Sequence, residues 1–173
     1  FEANDGGFTV TGGQWAWGIP TSGPGAAYSG EKLWATNLGG NYVAGQAMLD
    51  TVQITVPTGG DLTFWHWYDF EASYDGYNVK ISNDSGITWT LITPVGGYTG
   101  TANSANPLPT GEPIWTGHVQ GYWEYEEFDL STYEGQTVKF RFDMGADPSV
   151  FYPGTYIDDI LVGTLTVTIE EEY

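Results

Sequence analysis

The frequency of glycine and proline limits what this chain can fold into more than any other feature of its sequence. The 173 residues include 25 glycines and 9 prolines. These residues interrupt most windows longer than about ten residues, and helical periodicity is therefore hard to find. Short segments with alternating apolar residues recur instead, separated by turn clusters such as Pro57–Gly60 and Asn83–Gly86. Many short strands joined by such turns predict an all-β sandwich or barrel.

The strand pattern occurs in segments spread over most of the chain. They are residues 48–56, 62–70, 77–81, 88–92, 122–130, 137–143 and 156–162. The stretch from Tyr98 to Gly117 is rich in Gly, Asn, Pro and Thr and is too long for a tight turn. We therefore expect it to be a surface excursion, a kind of segment that often carries ligand contacts.

The balance of charge excludes several classes of function. The chain has 22 acidic and only 4 basic residues, which gives a formal net charge of -18. Nucleic-acid binding needs a basic stripe that so few cations cannot form, and attraction to anionic membranes fails for the same reason. The sequence has no apolar run near the ~18 residues of a membrane span. We expect neither a nucleic-acid partner nor insertion into a membrane.

The absence of cysteine bears on both stability and location. Without cysteine there are no disulfides, no thiol catalysis and no cysteine-ligated zinc, so packing or hard metal ions must stabilise the fold. Abundant Gly, Thr, Tyr and Trp with few lysines is typical of secreted or cell-surface β-proteins, and we expect an extracellular location. The chain begins at Phe1 without an initiator methionine or a leader, and we interpret it as a processed or excised segment.

Residues Ser82–Trp89 fit the Asp-box pattern Ser-x-Asp-x-Gly-x-x-Trp. In such a box the aspartate accepts hydrogen bonds from turn amides, the glycine takes a positive φ and the tryptophan packs under the loop. A single copy predicts a hairpin and no chemistry.

The segment from Phe64 to Glu71 predicts a strand with two different faces. One face carries Trp65, Trp67, Asp69 and Glu71, and the other carries Phe64, His66, Tyr68 and Phe70. One interpretation is an aromatic sugar platform ending in a carboxylate pair. We favour a core strand whose polar ends meet a loop or a cation. His66 is then a buried, hydrogen-bonded imidazole, His118 is exposed, and no Ser-His-Asp site is predicted.

Two acidic positions near the ends of the strand pattern indicate a metal ion. Asp158 shares a strand face with Ile160 and Val162, where an uncompensated carboxylate would be costly. Glu2 stands at the other end of the pattern, and the terminal strands of a jelly roll often run close together. We expect Glu2 and Asp158 to share a calcium ion, which takes about six to eight oxygen ligands. The alternative is that Asp158 and Asp159 simply cap loops.

The C-terminal residues 164–169 read Thr-Leu-Thr-Val-Thr-Ile, with Leu165, Val167 and Ile169 on one face. This pattern predicts a half-buried strand of the same sandwich, of a neighbouring domain, or of an intersubunit pairing, because an apolar face with open backbone groups needs a partner. We divide the chain accordingly into a domain at 1–163 and a C-terminal strand with an acidic end at 164–173.

Several motifs follow one another in a familiar order: Gly13–Pro20, Ala27–Asn37, Phe64–Glu71, Glu126–Ser131 and Tyr156–Ile160. Together they resemble the MAM-like jelly-roll module of bacterial secreted and cell-surface proteins, as found in immune inhibitor A and bacillopeptidase F-like proteins. The resemblance covers residues 1–163. It implies a two-sheet antiparallel jelly-roll sandwich, here with an extra C-terminal strand, that is non-catalytic and often carries structural calcium.

The resemblance also extends the predicted calcium site. The positions of this sequence that match metal ligands of the family, or of similar carbohydrate-binding jelly rolls, are Glu2, Ser29, Glu31, Asp158 and Asp159. One departure is Thr155, where the family commonly has an aromatic residue. That departure bears on packing next to the site and not on the ion.

Two functions are compatible with these observations. The first is a calcium-stabilised extracellular module for binding or adhesion to a surface glycan or protein, with exposed coplanar aromatics between Tyr98 and Trp123. The second is a structural subunit of an extracellular filament or surface layer, a homopolymer in which the C-terminal strand complements a neighbour's sheet. A glycosidase with two carboxylates is much less favoured, since 22 acidic residues make chance pairs inevitable. We predict that the chain is not an enzyme.

Overall fold

A computed structural model of the chain describes residues 1–119 and 121–164. In those residues it has a 3-10 helix at Ser131–Tyr133 and thirteen short strands. The strands are β1 (Thr9–Thr11), β2 (Ala16–Gly18), β3 (Leu33–Ala35), β4 (Gly45–Asp50), β5 (Ile54–Thr55), β6 (Asp61–Asp69), β7 (Gly76–Ser82), β8 (Thr90–Leu91), β9 (Gly100–Thr101), β10 (Pro113–Ile114), β11 (Glu124–Asp129), β12 (Thr137–Ala146) and β13 (Gly154–Gly163).

The strands form two main antiparallel sheets. The first sheet has the order β1-β4-β12-β7-β8, with β5 also paired to β12. The second has the order β11-β6-β13-β3-β2, and β9 and β10 form a separate two-stranded sheet. The predicted fold class, an all-β two-sheet antiparallel jelly-roll sandwich, is confirmed.

The core lies between the two sheets and is dominated by aromatic rings. Phe64, His66 and Tyr68 of β6 are all buried, as the two-residue period of the sequence predicts. Phe142 of β12 packs edge-on against Phe64, with ring centroids 5.3 Å apart. Full burial of one such side chain contributes about 1.5–3 kcal/mol. The packing fixes β6 and leaves its alternate residues on the outer face of the second sheet.

Residues 48–56 do not form the single strand that their alternation predicts. The strand β4 ends at Asp50 and β5 begins at Ile54, although both pair with β12. The reason is Thr51, whose hydroxyl oxygen accepts a hydrogen bond from the Phe140 N–H at 2.9 Å. A side-chain oxygen thus takes the place of a ladder carbonyl, and the regular pairing is interrupted there.

The prediction that Tyr98–Gly117 is only a surface excursion is wrong. This segment contains β9 and β10, and its Trp115 is 1 % exposed. The backbone of Trp115 exchanges hydrogen bonds with that of Tyr77 in both directions, at 2.9 and 3.2 Å. A large ring between Gly- and Pro-rich stretches fills the core from a loop, which strand periodicity does not detect.

The predicted C-terminal strand, with Leu165, Val167 and Ile169, lies outside the described residues, so the division of the chain at residue 163 stays a prediction. Across residues 1–119 and 121–164 there is no helix with the length and apolar character to cross a membrane.

Candidate functional site

The loop that connects β2 to β3, residues 19–32, covers part of the outer face of the second sheet. Ala27 packs against a small buried cluster formed by Leu33, Ala35 and Tyr156. The next residue, Tyr28, stacks on Trp65 of β6, with ring centroids 4.0 Å apart and an angle of 12° between the rings. This β2–β3 loop therefore carries a packed aromatic contact directly beside the predicted metal ligands Ser29 and Glu31.

Glu2 holds the β2–β3 loop from one side. Its Oε1 accepts hydrogen bonds from the backbone N–H groups of Glu31 and Lys32, at 3.0 and 2.9 Å. The Lys32 ammonium donates to the Glu2 carbonyl oxygen at 3.1 Å. These backbone N–H groups, that of Lys32 first, lower the pKa of Glu2, so the carboxylate is held in its charged form.

Asp158 and Asp159 of β13 hold the same loop from the other side. Asp158 Oδ2 accepts a hydrogen bond from the Ser29 N–H at 3.1 Å, and Asp159 Oδ1 accepts one from the Ser29 hydroxyl at 2.7 Å. The register of β13 against β6 shifts between Asp158 and Leu161, and Asp159 has a φ of 49°. This irregularity in β13 lets two consecutive carboxylates reach one serine.

Glu2, Asp158 and Asp159 thus all contact the β2–β3 loop, which carries Ser29 and Glu31. Within the described residues, the three carboxylates are not one of the groups whose ligand atoms lie within 4.8 Å of one another. Asp158 is 1 % exposed, and burial raises its pKa, so its charged form needs positive compensation. Carboxylate and hydroxyl oxygens are of the kind that calcium binds. Glu31 contributes its backbone N–H to the Glu2 contact. The donor set fits calcium in its chemistry.

The outer face of the second sheet carries an aromatic surface made of Tyr28, Trp65, Trp123 and Tyr125. Tyr125 lies opposite Trp65 in the register of β11 and β6, with ring centroids 5.4 Å apart. Trp123 meets Tyr28 edge-on at 6.0 Å. Tyr28 remains 41 % exposed and Tyr125 39 %. Exposed ring faces on a rigid sheet can stack on the apolar faces of sugars or side chains.

The predicted position of exposed aromatics needs a correction. Tyr98 is half-buried and Trp115 is buried. Within the predicted range Tyr122 is 58 % exposed and Trp123 belongs to the aromatic surface, whose other members lie outside that range. Sequence reasoning missed Tyr28 as a member, because its partner Trp65 lies in a distant strand. Trp67, the other outward tryptophan of β6, packs edge-on against Tyr156 at 5.5 Å, in keeping with the predicted core role.

Asp69 and Glu71 have different neighbours in the structure. Asp69 forms an isolated antiparallel bridge with His118, which is exposed as predicted. Glu71 instead joins Asp75 and Asp147, and carboxylate oxygens of the three lie within 4.8 Å of one another. Sequence reasoning missed this acidic cluster, since Glu71 and Asp75 flank the turn between β6 and β7 and Asp147 follows the distant strand β12.

The predicted Asp-box hairpin is confirmed between β7 and β8. Asp84 accepts hydrogen bonds from the Thr88 hydroxyl at 2.6 Å and from the backbone N–H of Ile87 at 3.1 Å. These contacts hold the pKa of Asp84 well below its usual range, with the Thr88 hydroxyl as the main cause. Gly86 has a φ of 93°, as the turn requires. The turn is structural.

Comparisons with known proteins agree with this architecture. The chain matches the family described as "Immune inhibitor A-like, MAM domain" over residues 26–169. It is 33 % identical over 168 residues to bacillopeptidase F of Bacillus subtilis (strain 168). The aligned region covers 94 % of this chain but only 10 % of bacillopeptidase F.

Two solved structures share the fold. TmCBM61 in complex with beta-1,4-galactotriose matches with a TM-score of 0.53 and 15 % identity, over 92 % of this chain and 89 % of that one. The K2 cleaved adhesin domain of Lys-gingipain matches with a TM-score of 0.54 and 14 % identity, over 95 % of each chain. At these identities the likeness is one of fold.

Proposed function

This chain belongs to the immune inhibitor A-like MAM domain family, and from that premise we propose that it is a non-catalytic, calcium-stabilised extracellular module that binds a surface glycan or protein. The fold that it shares with a galactotriose-bound protein and with an adhesin domain supports a binding role.

The aromatic surface is the observation that carries this proposal. Tyr28 and Tyr125 both contact the Trp65 ring and remain 41 % and 39 % exposed. The exposed Glu31 of the β2–β3 loop supplies a hydrogen-bond acceptor for hydroxyl groups. Apolar ring faces combined with a few polar groups are the usual composition of a small-ligand site. Among the two partner classes, a glycan suits this composition best.

Calcium has a defined role in the proposed module. An ion held by Glu2, Ser29, Asp158 and Asp159 would fix the β2–β3 loop, and Tyr28 directly precedes Ser29 in that loop. Calcium would therefore stabilise the fold and hold one ring of the aromatic surface in position. It would supply no chemistry beyond positive charge and coordination.

The module spans 10 % of the length of bacillopeptidase F. We therefore propose an accessory role, in which the module attaches a larger secreted protein to its substrate or to a surface. Activity, substrate and partners of any such larger protein are not carried by the residues described above.

The test is binding of the purified chain to a panel of immobilised polysaccharides that includes β-1,4-galactan, with calcium present. We expect Tyr28→Ala and Tyr125→Ala each to weaken binding by roughly tenfold, because each removes a stacking face worth about 1 kcal/mol or more. Tyr74→Ala is the matched control, since Tyr74 is 44 % exposed but lies outside the aromatic surface. Equal loss in all three variants, or wild-type binding in the first two, would contradict the proposal.

A further inference from the structure

The imidazole of His66 is buried in the sandwich with one nitrogen unused. His66 has no exposed surface, and its ring lies 5.0 Å from that of Tyr68 and 4.8 Å from that of Trp115. Its Nδ1 is hydrogen-bonded to the Tyr77 hydroxyl. Within residues 1–119 and 121–164, its Nε2 has no hydrogen-bond partner. A buried nitrogen without a partner is destabilising, and such atoms in native proteins usually have a specific cause.

Two carboxylates face this nitrogen from β11, the edge strand of the second sheet. Glu124 lies opposite His66 in the strand register and Glu126 lies opposite Phe64. Glu126 Oε1 is 3.3 Å from His66 Nε2, and Glu124 Oε2 is 3.7 Å from it. The Glu126 side chain is 11 % exposed and that of Glu124 is 37 % exposed. The cluster is therefore closed at His66 and open to solvent at Glu124.

In the ion pairs of the described residues, no lysine or arginine is paired with Glu124 or Glu126. In the described part of the chain, Lys80 pairs with Glu112 and Asp143, and Arg141 pairs with Asp50. Two carboxylates beside a buried ring favour a bound cation, because burial penalises unpaired charge.

We propose that His66 Nε2, Glu124 and Glu126 bind a divalent transition-metal ion of the zinc class, with a further position open to solvent beside Glu124. One ligand atom from each residue lies within 4.8 Å of the others, which suits an ion with bonds of about 2.0–2.2 Å. Imidazole and carboxylate together suit zinc, whereas calcium takes oxygen ligands. The site thus differs in chemistry from the proposed calcium site and does not depend on it.

The hydrogen bond between His66 Nδ1 and the Tyr77 hydroxyl leaves Nε2 available to bind a metal ion. A neutral imidazole that binds through Nε2 carries its proton on Nδ1 and donates it to the Tyr77 oxygen. The Nε2 lone pair is then free, with Glu126 Oε1 at 3.3 Å and Glu124 Oε2 at 3.7 Å. Partners of this kind orient metal-bound histidines in many proteins.

The test is a zinc titration of the full chain by isothermal titration calorimetry, with excess calcium so that all-oxygen sites do not contribute. We expect one zinc ion per chain, and binding weakened by at least about tenfold in Glu126→Gln and His66→Gln. Glu127→Gln is the matched control on the same strand, since Glu127 lies opposite Thr63 and its side chain alternates to the other face. His118→Gln is the control for the imidazole. Both controls should bind zinc as the wild type does.

A cobalt titration gives a second measurement. Cobalt in the same site should produce a visible absorption band of low-symmetry coordination that Glu126→Gln abolishes and Glu127→Gln retains. Glu126→Gln keeps the test decisive if His66→Gln fails to fold, because Glu126 lies at the edge of the core. Failure of the wild type to bind zinc, as expected if His66 is instead protonated and paired with Glu126, overturns the proposal. Equal weakening by Glu127→Gln overturns it as well.

Discussion

At the scale of single residues, the cluster of Glu71, Asp75 and Asp147 determines part of the pH dependence of stability. Asp75 has no exposed surface. Its Oδ2 accepts a hydrogen bond from the Tyr42 hydroxyl and its Oδ1 accepts one from the Asp147 N–H, both at 2.7 Å. Burial is nevertheless the largest influence and raises the pKa of Asp75 to about 6, and the charges of Asp147 and Glu71 act in the same direction. Folding therefore disfavours the charged form of Asp75.

The first prediction concerns stability between pH 4 and pH 6. The folded chain binds more protons than the unfolded chain in this range, so the contribution of Asp75 is present below the unfolded pKa of 3.8 and is lost as the pH rises through about 6. We expect this to lower the free energy of unfolding by on the order of 2 kcal/mol across the range. Urea unfolding in EDTA at several pH values measures it.

Two variants separate Asp75 from the general repulsion of an acidic chain. Asp75→Asn should flatten the slope between pH 4 and 6. Asp129→Asn should keep the wild-type slope, because a hydrogen bond from the Ser131 N–H lowers the pKa of Asp129 and its titration falls below this range. The same slope in wild type and Asp75→Asn would contradict the assignment.

At the scale of elements, Gly30 of the β2–β3 loop lies directly against Glu2. Gly30 has a φ of +59°, and a Cβ built on it would lie 2.5 Å from the Glu2 carboxylate carbon. Gly25 in the same loop has a φ of +73° and no atom within 4 Å of such a Cβ. Alanine at either position would introduce backbone strain through the positive φ. Of the two, only alanine at position 30 would also collide with Glu2.

The second prediction follows from this difference. Gly25→Ala should cost about 1 kcal/mol through its positive φ, and Gly30→Ala should cost more because it also displaces Glu2 from the Glu31 and Lys32 N–H groups. Melting temperatures in calcium measure both. In a Glu2→Ala background, Gly30→Ala should cost no more than Gly25→Ala. An excess cost that persists without Glu2 would contradict this explanation.

Strands were predictable where one face is buried and the other is not. The strand β6 alternates over its whole length, and its prediction at 62–70 differs from Asp61–Asp69 by one residue at each end. The strand β3 was missed because Leu33, Trp34 and Ala35 are all buried, and three residues without alternation have no recognisable period. Trp115 was missed as a core residue because its neighbours in sequence are typical of loops.

The candidate sites were predictable only where a charged side chain shares a strand face with apolar residues. Asp158 was conspicuous because it lies among apolar residues of its own strand. Asp75 and Asp147 are 72 positions apart, and each is ordinary in its local sequence, so their contact follows from the topology alone. The stacking of Tyr28 on Trp65 could not be predicted for the same reason.

At the scale of the whole molecule, the predicted calcium site joins three distant parts of the chain. Ser29 and Asp158 are 129 positions apart, and Glu2 and Glu31 are 29 apart. An ion bound there would close long loops, and it would stabilise the folded state by mass action because the unfolded chain does not hold these oxygens together. Its loss should therefore affect global unfolding and not only the β2–β3 loop.

The last prediction is that calcium raises the melting temperature. At a calcium concentration of about 100 times Kd, binding adds about 2.7 kcal/mol, which for a chain of this size is roughly 5–10 °C. Differential scanning calorimetry in calcium and in EGTA measures the increment, and magnesium should not reproduce it, since it requires a tighter octahedral site. Asp158→Asn should remove most of the increment, because it removes a buried negative charge from the site. Asp61→Asn, at the far end of β6, should keep it. An equal melting temperature in calcium and EGTA would refute the calcium site while leaving the zinc site and the aromatic surface to their own tests.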